Sequence, residues 1–381
     1  MTNKRGPIAL YGATGYTGRL VAAELAAAGA DFVLSGRSKP KLEALAEELG
    51  RTASVHPATL DDHSELRSLL EGCSVVIDCA GPFTEFGEPV LRAAIETGTH
   101  YLDTTGEQAY MNKVFRHFGA DAERKRVALI PAMGFDYVPG DMLAALTAEG
   151  VGPLKTVSLA YGWKDFTPTR GTMLSAMHIL KGGDVEYRRG AWRPAPQSFG
   201  RGRFDFGEDW GSERMIRYPA GEQITVPRHV QTDNVRTTIN AASFGGSDRA
   251  GALLSLLGKP LSLTLRTPLR QAFAVAVNKL PEGPSEEDRR AARFKIVCDV
   301  RSRDSERRGV MTGSDVYGLT AASIARGGII AASRGFRGMG ALAPAQAFDP
   351  SGFLAGLERF DVSWNLGEAR EPQPEHAEAT A

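Results

Sequence analysis

The 381-residue chain is poor in cysteine, has no surplus charge of either sign and contains no long apolar run. Its three cysteines, Cys73, Cys79 and Cys298, cannot build a disulfide framework, and none belongs to a CxxC pair. A reducing, cytoplasmic setting is therefore expected. Lys+Arg and Asp+Glu both number 45, so no basic surplus is present to neutralise phosphates, and no nucleic-acid partner is expected. No stretch approaches the roughly 18 apolar residues of a membrane span. The opening MTNKRG leads straight into IALYG, too short an apolar run for a signal-peptide core. The seven histidines include no HxxxH, so no metal is expected. GxSxG and GxxxxGK[ST] are also missing, which excludes the usual hydrolase elbow and the Walker A loop.

What the chain does have is a regular alternation. Pro7 to Tyr11 read as a short apolar strand, followed at once by Gly12-Ala13-Thr14-Gly15-Tyr16-Thr17-Gly18 and an alanine-rich helix ending at Gly29. Phe32-Val33-Leu34 form the next strand. Ser38 and Pro40 open a helix with Leu42, Leu45 and Leu49 on one face. The pattern strand, glycine turn, helix, strand is a βαβ unit. Asp62 and Glu65 suggest a capping box before Leu66, Leu69 and Leu70. Further strands are expected at VVID, at Tyr101-Leu102-Asp103 and at Val127 to Ile130, with helices between them. The fold class is α/β: an N-terminal doubly wound parallel sheet of the Rossmann type, with a second α+β domain.

That second domain is announced by strand-like segments such as TVSLAYGW, SERMIRYP and RFKIVCDVRSR, suggesting an antiparallel sheet. The expected boundaries are 1–145 for the nucleotide domain and 146–315 for the α+β domain. Residues 316–365 should return to the first domain, and the Glu/Ala/Pro-rich tail 366–381 should be disordered.

Glycines in the first turn would let the backbone approach a pyrophosphate, whose charge suits the start of the following helix. Gly12, Thr14, Gly15, Tyr16, Thr17 and Gly18 are the candidate phosphate-binding residues. The end of the second strand selects the cofactor. NAD needs an acidic side chain there, whereas this chain offers Ser35-Gly36-Arg37, and a guanidinium suits a 2′-phosphate. NADP, as NADPH, is therefore the expected cofactor. The carboxyl ends of the other strands add Asp61 near the adenine, and Cys79, Ala80, Gly81, Pro82 and Phe83 beside the ribose and nicotinamide. Cys79 reads as a small packed residue and not as a nucleophile.

GATGYTGRLVA, the SGR after the second strand, VVIDCAGPFTEFGEPVLRAAIETGTHYLDTTGE and PAMGFDYVPGD together resemble the saccharopine dehydrogenase-like oxidoreductases, which include actinobacterial trans-acting enoyl reductases. The resemblance covers about the first 145 residues, with a looser match in GMGALAPAQAFDPSGFLAGL. It implies an NADP-type domain, a second domain with a substrate cleft between the two, and reduction of a conjugated C=C in a lipid or polyketide-type intermediate. C=N reduction or amine oxidation, and a non-catalytic NADP(H) sensor, remain as alternatives. The YxxxK of classical short-chain dehydrogenases does not occur.

Hydride transfer asks the protein for orientation, exclusion of water and a proton source. Asp103, Thr104, Thr105 and Glu107 follow the fifth strand; Asp136, Tyr137 and Asp141 follow the sixth. Tyr137 is the expected proton donor, with Asp136 orienting nicotinamide or substrate; Asp136 and Asp141 could equally cap the next helix. Trp163, Thr172 and His178 could face the cleft, although His178, between Met177 and Ile179, reads more readily as packed. The leucine-rich stretch 251–277 could line a lipophilic tunnel or touch a membrane surface. Pro260 and Pro268 favour a core helix pair or a homodimer contact there.

Overall fold

The computed structural model describes residues 6–50, 53–180, 184–196, 202–241, 277 and 279–372. The stretch 251–276, and with it the tunnel, membrane or dimer expectation, lies outside the described residues, as does 373–381. The chain divides into two compact units, 1–138 with 317–348, and 139–316 with 349–381.

The first pass builds the expected alternation. β1 (Ile8–Tyr11), α1 (Tyr16–Ala27), β2 (Phe32–Ser35), α2 (Lys39–Glu48), β3 (Ser54–Val55) and α3 (His63–Leu70) are followed by β4 (Val75–Asp78), α4 (Phe83–Thr97) and β5 (His100–Asp103). Then come α5 (Gln108–Lys113), a π-helical turn, α6 (Gly119–Lys125) and β6 (Ala128–Ile130). Strands β1 and β4 are buried at every position, as parallel strands covered on both faces must be. Two local expectations differ. Ser38 makes no side-chain cap. Asp62 does cap α3 by accepting the N–H of Ser64 and Glu65, but Glu65 turns instead to the N–H and hydroxyl of Thr59.

In the second unit, α7 (Val138–Ala148) leads to β7 (Thr156–Lys164), α8 (Arg170–Leu180), the hairpin β8 (Val185–Arg188) and β9 (Ala191–Pro194), then β10 (Gly202–Asp205) and β11 (Ser212–Arg217). A one-turn helix α9 (Glu222–Thr225), β12 (Val235–Asn240), α10 (Glu286–Ala291), β13 (Arg293–Arg301) and β14 (Glu306–Ser314) follow. The long helix α11 (Val316–Ala331) then carries the chain back to the first unit, where β15 (Gly340–Ala341) and α12 (Pro344–Ala347) lie. α13 (Pro350–Ala355) and β16 (Ser363–Leu366) belong to the second unit.

The first sheet has the order β15-β6-β5-β4-β1-β2-β3 and is parallel throughout. The order reverses at β1, so the carboxyl ends of β1 and β4 flank the crevice where such sheets bind ligands. The second sheet has the order β10-β11-β12-β7-β13-β14-β16. It is mixed and not purely antiparallel, because β12 pairs with β7 in parallel. The returning segment also differs from expectation: it ends at 348, because β16 pairs with β14 through Gly309–Leu366 to Thr312–Ser363.

Candidate functional site

The glycine turn joins β1 to α1 at the carboxyl edge of the first sheet. Gly12 holds φ +74, and a Cβ there would stand 2.9 Å from the Ala80 nitrogen, so the turn lies tight against the loop after β4. A Cβ on Gly18 would come within 2.2 Å of the Gly12 carbonyl, which is what lets α1 pack against the strand. Gly15 is different. Its backbone is ordinary (φ -76, ψ 168), and a Cβ would meet only the Gly12 carbonyl at 3.5 Å. The fold does not require glycine there; an approaching ligand would. Gly15 is also the N-cap of α1 and supplies no side-chain cap, so the first-turn N–H groups of Tyr16, Thr17 and Gly18 face the turn in which Thr14 also lies.

At the end of β2, the Ser35 hydroxyl is fully buried with no hydrogen-bond partner among the described residues. Arg37, just beyond Gly36, is exposed and makes no hydrogen bond or ion pair among the described residues. An orphaned hydroxyl, a free guanidinium and a glycine cradle fit a phosphorylated dinucleotide. Asp61 is exposed, and with Arg37 it acts electrostatically on the buried Tyr11.

The loops after β4 and β5 are held by buried carboxyls. Asp78 Oδ1 accepts the Ala80 N–H at 2.9 Å and fixes the Cys79–Gly81 loop. Burial raises the Cys79 thiol far above its usual range, so it is no nucleophile. Phe83 is a correction: its ring is core, 5.8 Å from Tyr110, and its N–H donates to Glu107. Glu107 also takes the Thr84 N–H, so a carboxylate already occupies the start of α4, and Phe83 offers no surface to the cofactor.

The turn after β6 carries Asp136 and Tyr137. Tyr137 is fully buried and its hydroxyl donates to the Gly106 carbonyl at 2.6 Å. That commits its proton inside the fold, so the expected proton donor becomes a tie between two loops. Asp136 is half-buried and makes no hydrogen bond among the described residues, so it is not a helix cap. Its carboxyl lies against Gly106, where a Cβ would stand 3.2 Å from Oδ2, and burial raises it to about 6. Asp103, at the end of β5, is raised by burial to about 7 despite accepting the N–H groups of Ala132 and Thr105.

The remaining candidates belong to the second unit. Asp141 is buried in the first turn of α7 and pairs with His229 at 2.8 Å. Trp163 packs on Phe166, and Thr172 bonds Thr169. His178 falls within α8, and its side chain is outside the described residues. Local sequence missed two contributors on α11. Tyr317 packs edge-on to Tyr16 of the glycine turn at 5.5 Å, and the Thr320 hydroxyl accepts the Phe135 N–H at 3.0 Å. Their helical spacing was visible; their distant partners were not.

A model of the saccharopine dehydrogenase NADP binding domain family matches residues 8–130. Residues 8–130 are thus similar to the NADP-binding domain of saccharopine dehydrogenases. Among curated relatives, a candidate trans-acting enoyl reductase of Mycobacterium tuberculosis is 32% identical over 189 residues, covering 47% of this chain and 45% of that protein. A trans-acting enoyl reductase of the same organism is 36% identical over 140 residues, covering 35% of this chain and 34% of its own length. The aligned stretches thus span less than half of either relative. Beyond the NADP-binding domain, apo saccharopine dehydrogenase (L-Glu forming) of Saccharomyces cerevisiae shares the fold at TM-score 0.60 and 14% identity, covering 95% of this chain and 100% of that one.

Proposed function

We propose that the protein is an NADPH-dependent oxidoreductase that reduces the conjugated C=C of an enoyl group on a lipid- or polyketide-type intermediate, working in the cytoplasm. The observation that carries the cofactor part is Arg37, a guanidinium unpaired among the described residues at the end of β2, where an NAD site would place an acid. The candidate residues for the pyrophosphate are the Gly12–Gly18 turn and the first N–H groups of α1; those for the adenosine end are Ser35, Gly36, Arg37 and Asp61. Ala80, Gly81 and Pro82 border the nicotinamide side. The enoyl part draws support from the designation of the two mycobacterial relatives. No described helix is long and apolar enough to cross a membrane.

Bound NADPH would supply the hydride, delivered to the β-carbon, and the chain must then supply a proton to the α-carbon. Asp136 is the group suited to it: a carboxyl with no hydrogen-bond partner among the described residues, raised by burial to about 6. Tyr137 holds the neighbouring loop and donates nothing outward. The test is NADPH oxidation against short and long enoyl thioesters, cyclic imines, and α-keto acids with amines. Turnover of enoyl thioesters supports the reading. Turnover confined to imines or amines would replace it with C=N chemistry, and none at all would favour a sensor.

A further inference from the structure

We propose that Asp103 is a positioning residue: it grips the turn after β6 from both its side chain and its main chain, and so holds the Asp136 carboxyl in its place at the sheet edge. The inference rests on reading Asp136 as the proton-holding group. Three hydrogen bonds leave this one residue for the loops around it. Oδ1 accepts the N–H of Thr105 and of Ala132, both at 2.9 Å, and the main-chain carbonyl accepts the Met133 N–H at 2.7 Å.

Ala132 is where the grip matters. It holds φ +64, a left-handed conformation that a residue with a Cβ adopts only when its surroundings impose it. The bond from its N–H to Asp103 is part of that imposition. Beyond Met133 the turn continues through Gly134 and Phe135, where Thr320 takes the Phe135 N–H, to Asp136. On the other side, Thr105 leads to Gly106, against which the Asp136 carboxyl lies and to whose carbonyl Tyr137 donates. Asp103 therefore fixes both walls around Asp136 without touching it.

Asp103 is itself able to exchange a proton. Its Oδ2 is buried and accepts no hydrogen bond of good geometry among the described residues, with the Tyr101 hydroxyl nearby, while Oδ1 already accepts from two donors. The titratable groups facing it are Asp78 on β4, Cys79 just after β4, Tyr101 on β5, Tyr110 on α5 and Glu107 before α5. Tyr101 links them, with its hydroxyl 2.9 Å from Tyr110 and donating to Asp78 at 3.4 Å. The pair Asp78 and Asp103 are register partners at the ends of neighbouring parallel strands. Two carboxyls this enclosed cannot both be charged without strong cost.

The experiment is a carboxyl 13C titration of the full-length protein without substrate, with Asp136 and Asp103 assigned by loss of their signals in Asp136→Asn and Asp103→Asn. Asn keeps an oxygen in the Oδ1 position to accept the two N–H groups; Ala does not. The expected result is an Asp136 midpoint near 6 in wild type and Asp103→Asn, falling toward the ordinary value of about 4 in Asp103→Ala as the turn loosens and water reaches the carboxyl. A midpoint unchanged or raised in Asp103→Ala overturns the proposal. Should Asp103→Ala fail to fold, the wild type decides: the Ala132, Thr105 and Met133 amides must be protected from hydrogen exchange by their bonds to Asp103, and unprotected amides overturn it. None of these readings needs a substrate. A failed enoyl assay therefore leaves the positioning claim standing, and a failed titration leaves the enoyl reading standing.

Discussion

Arg37 and Asp136 are opposite kinds of candidate: one is a charge with nothing to hold, the other a carboxyl kept from holding its charge. Arg37→Ala should weaken NADPH while leaving NADH nearly unchanged. A lost charge-assisted contact to phosphate costs about 1.5–3 kcal/mol, roughly ten- to more than a hundredfold in affinity. Calorimetry giving equal NADPH and NADH affinities for the wild type would refute the role of Arg37. Asp136→Asn should lower kcat about 10²–10⁴-fold with little change in NADPH affinity. A proton donor must be protonated, so wild-type kcat/KM should fall as pH rises through about 6, and Asp136→Asn should lose that limb. Asp103 also bears on stability. Its folded value near 7 lies above the unfolded value near 4, so the native state holds the extra proton and stability falls as pH rises across that window. The loss is about 1.4 kcal/mol per unit of pH. Asp103→Asn lacks this slope, so its unfolding temperature relative to wild type should rise between pH 4 and 7. A constant difference across the window would show that Asp103 does not titrate there.

Elements make the site by their ends. The turn after β1 is legible because glycine spacing states it directly, and Gly15→Val should test it cleanly. Its ordinary backbone angles and open surroundings let the fold survive, so loss of both cofactors would come from the blocked approach of pyrophosphate. A folded variant that still binds NADPH normally would disprove the phosphate role. The start of α4 was not legible. Its cap is Glu107, 24 residues beyond Phe83, and no local pattern pairs the two. Glu107→Ala leaves the Phe83 and Thr84 N–H groups without this acceptor, which should cost about 1–3 kcal/mol in the first urea transition. A variant as stable as wild type would mean the cap carries nothing. Phe83 itself was misread for the same reason: position after a strand suggested the crevice, whereas its ring went to the core.

Across the whole molecule, the NADP-binding unit is assembled from two separated stretches of chain, 1–138 and 317–348. The second stretch supplies the edge strand β15 and, on α11, the contacts of Tyr317 and Thr320 to the two loops of the site. A ligand that binds only the folded unit stabilises it by mass action, about 2.7 kcal/mol at one hundred times its Kd. NADPH should therefore raise the unfolding temperature of this unit more than NADH at equal concentration. Truncation after residue 316 should remove the NADPH response, because the site loses both supports. A truncated protein that still shows the full shift would place the returning segment outside the site.

The alternation of strands and helices, the glycine turn and the choice of Arg37 over an acid were determined by sequence alone, because each depends on residues within about twenty positions of one another. Hydrophobic period, turn chemistry and charge at a strand end are local quantities. Tertiary structure decided which polar side chains remained available. Tyr137 and Asp136 are neighbours in sequence with equal claim to the chemistry, yet one hydroxyl meets the Gly106 carbonyl while the other residue's carboxyl has no hydrogen-bond partner among the described residues. Asp103, Glu107 and Thr320 acquire their roles from loops 23 to 185 residues away. Burial and hydrogen-bond partnership are properties of the packed whole, and they set both the position of a carboxyl and its hold on a proton.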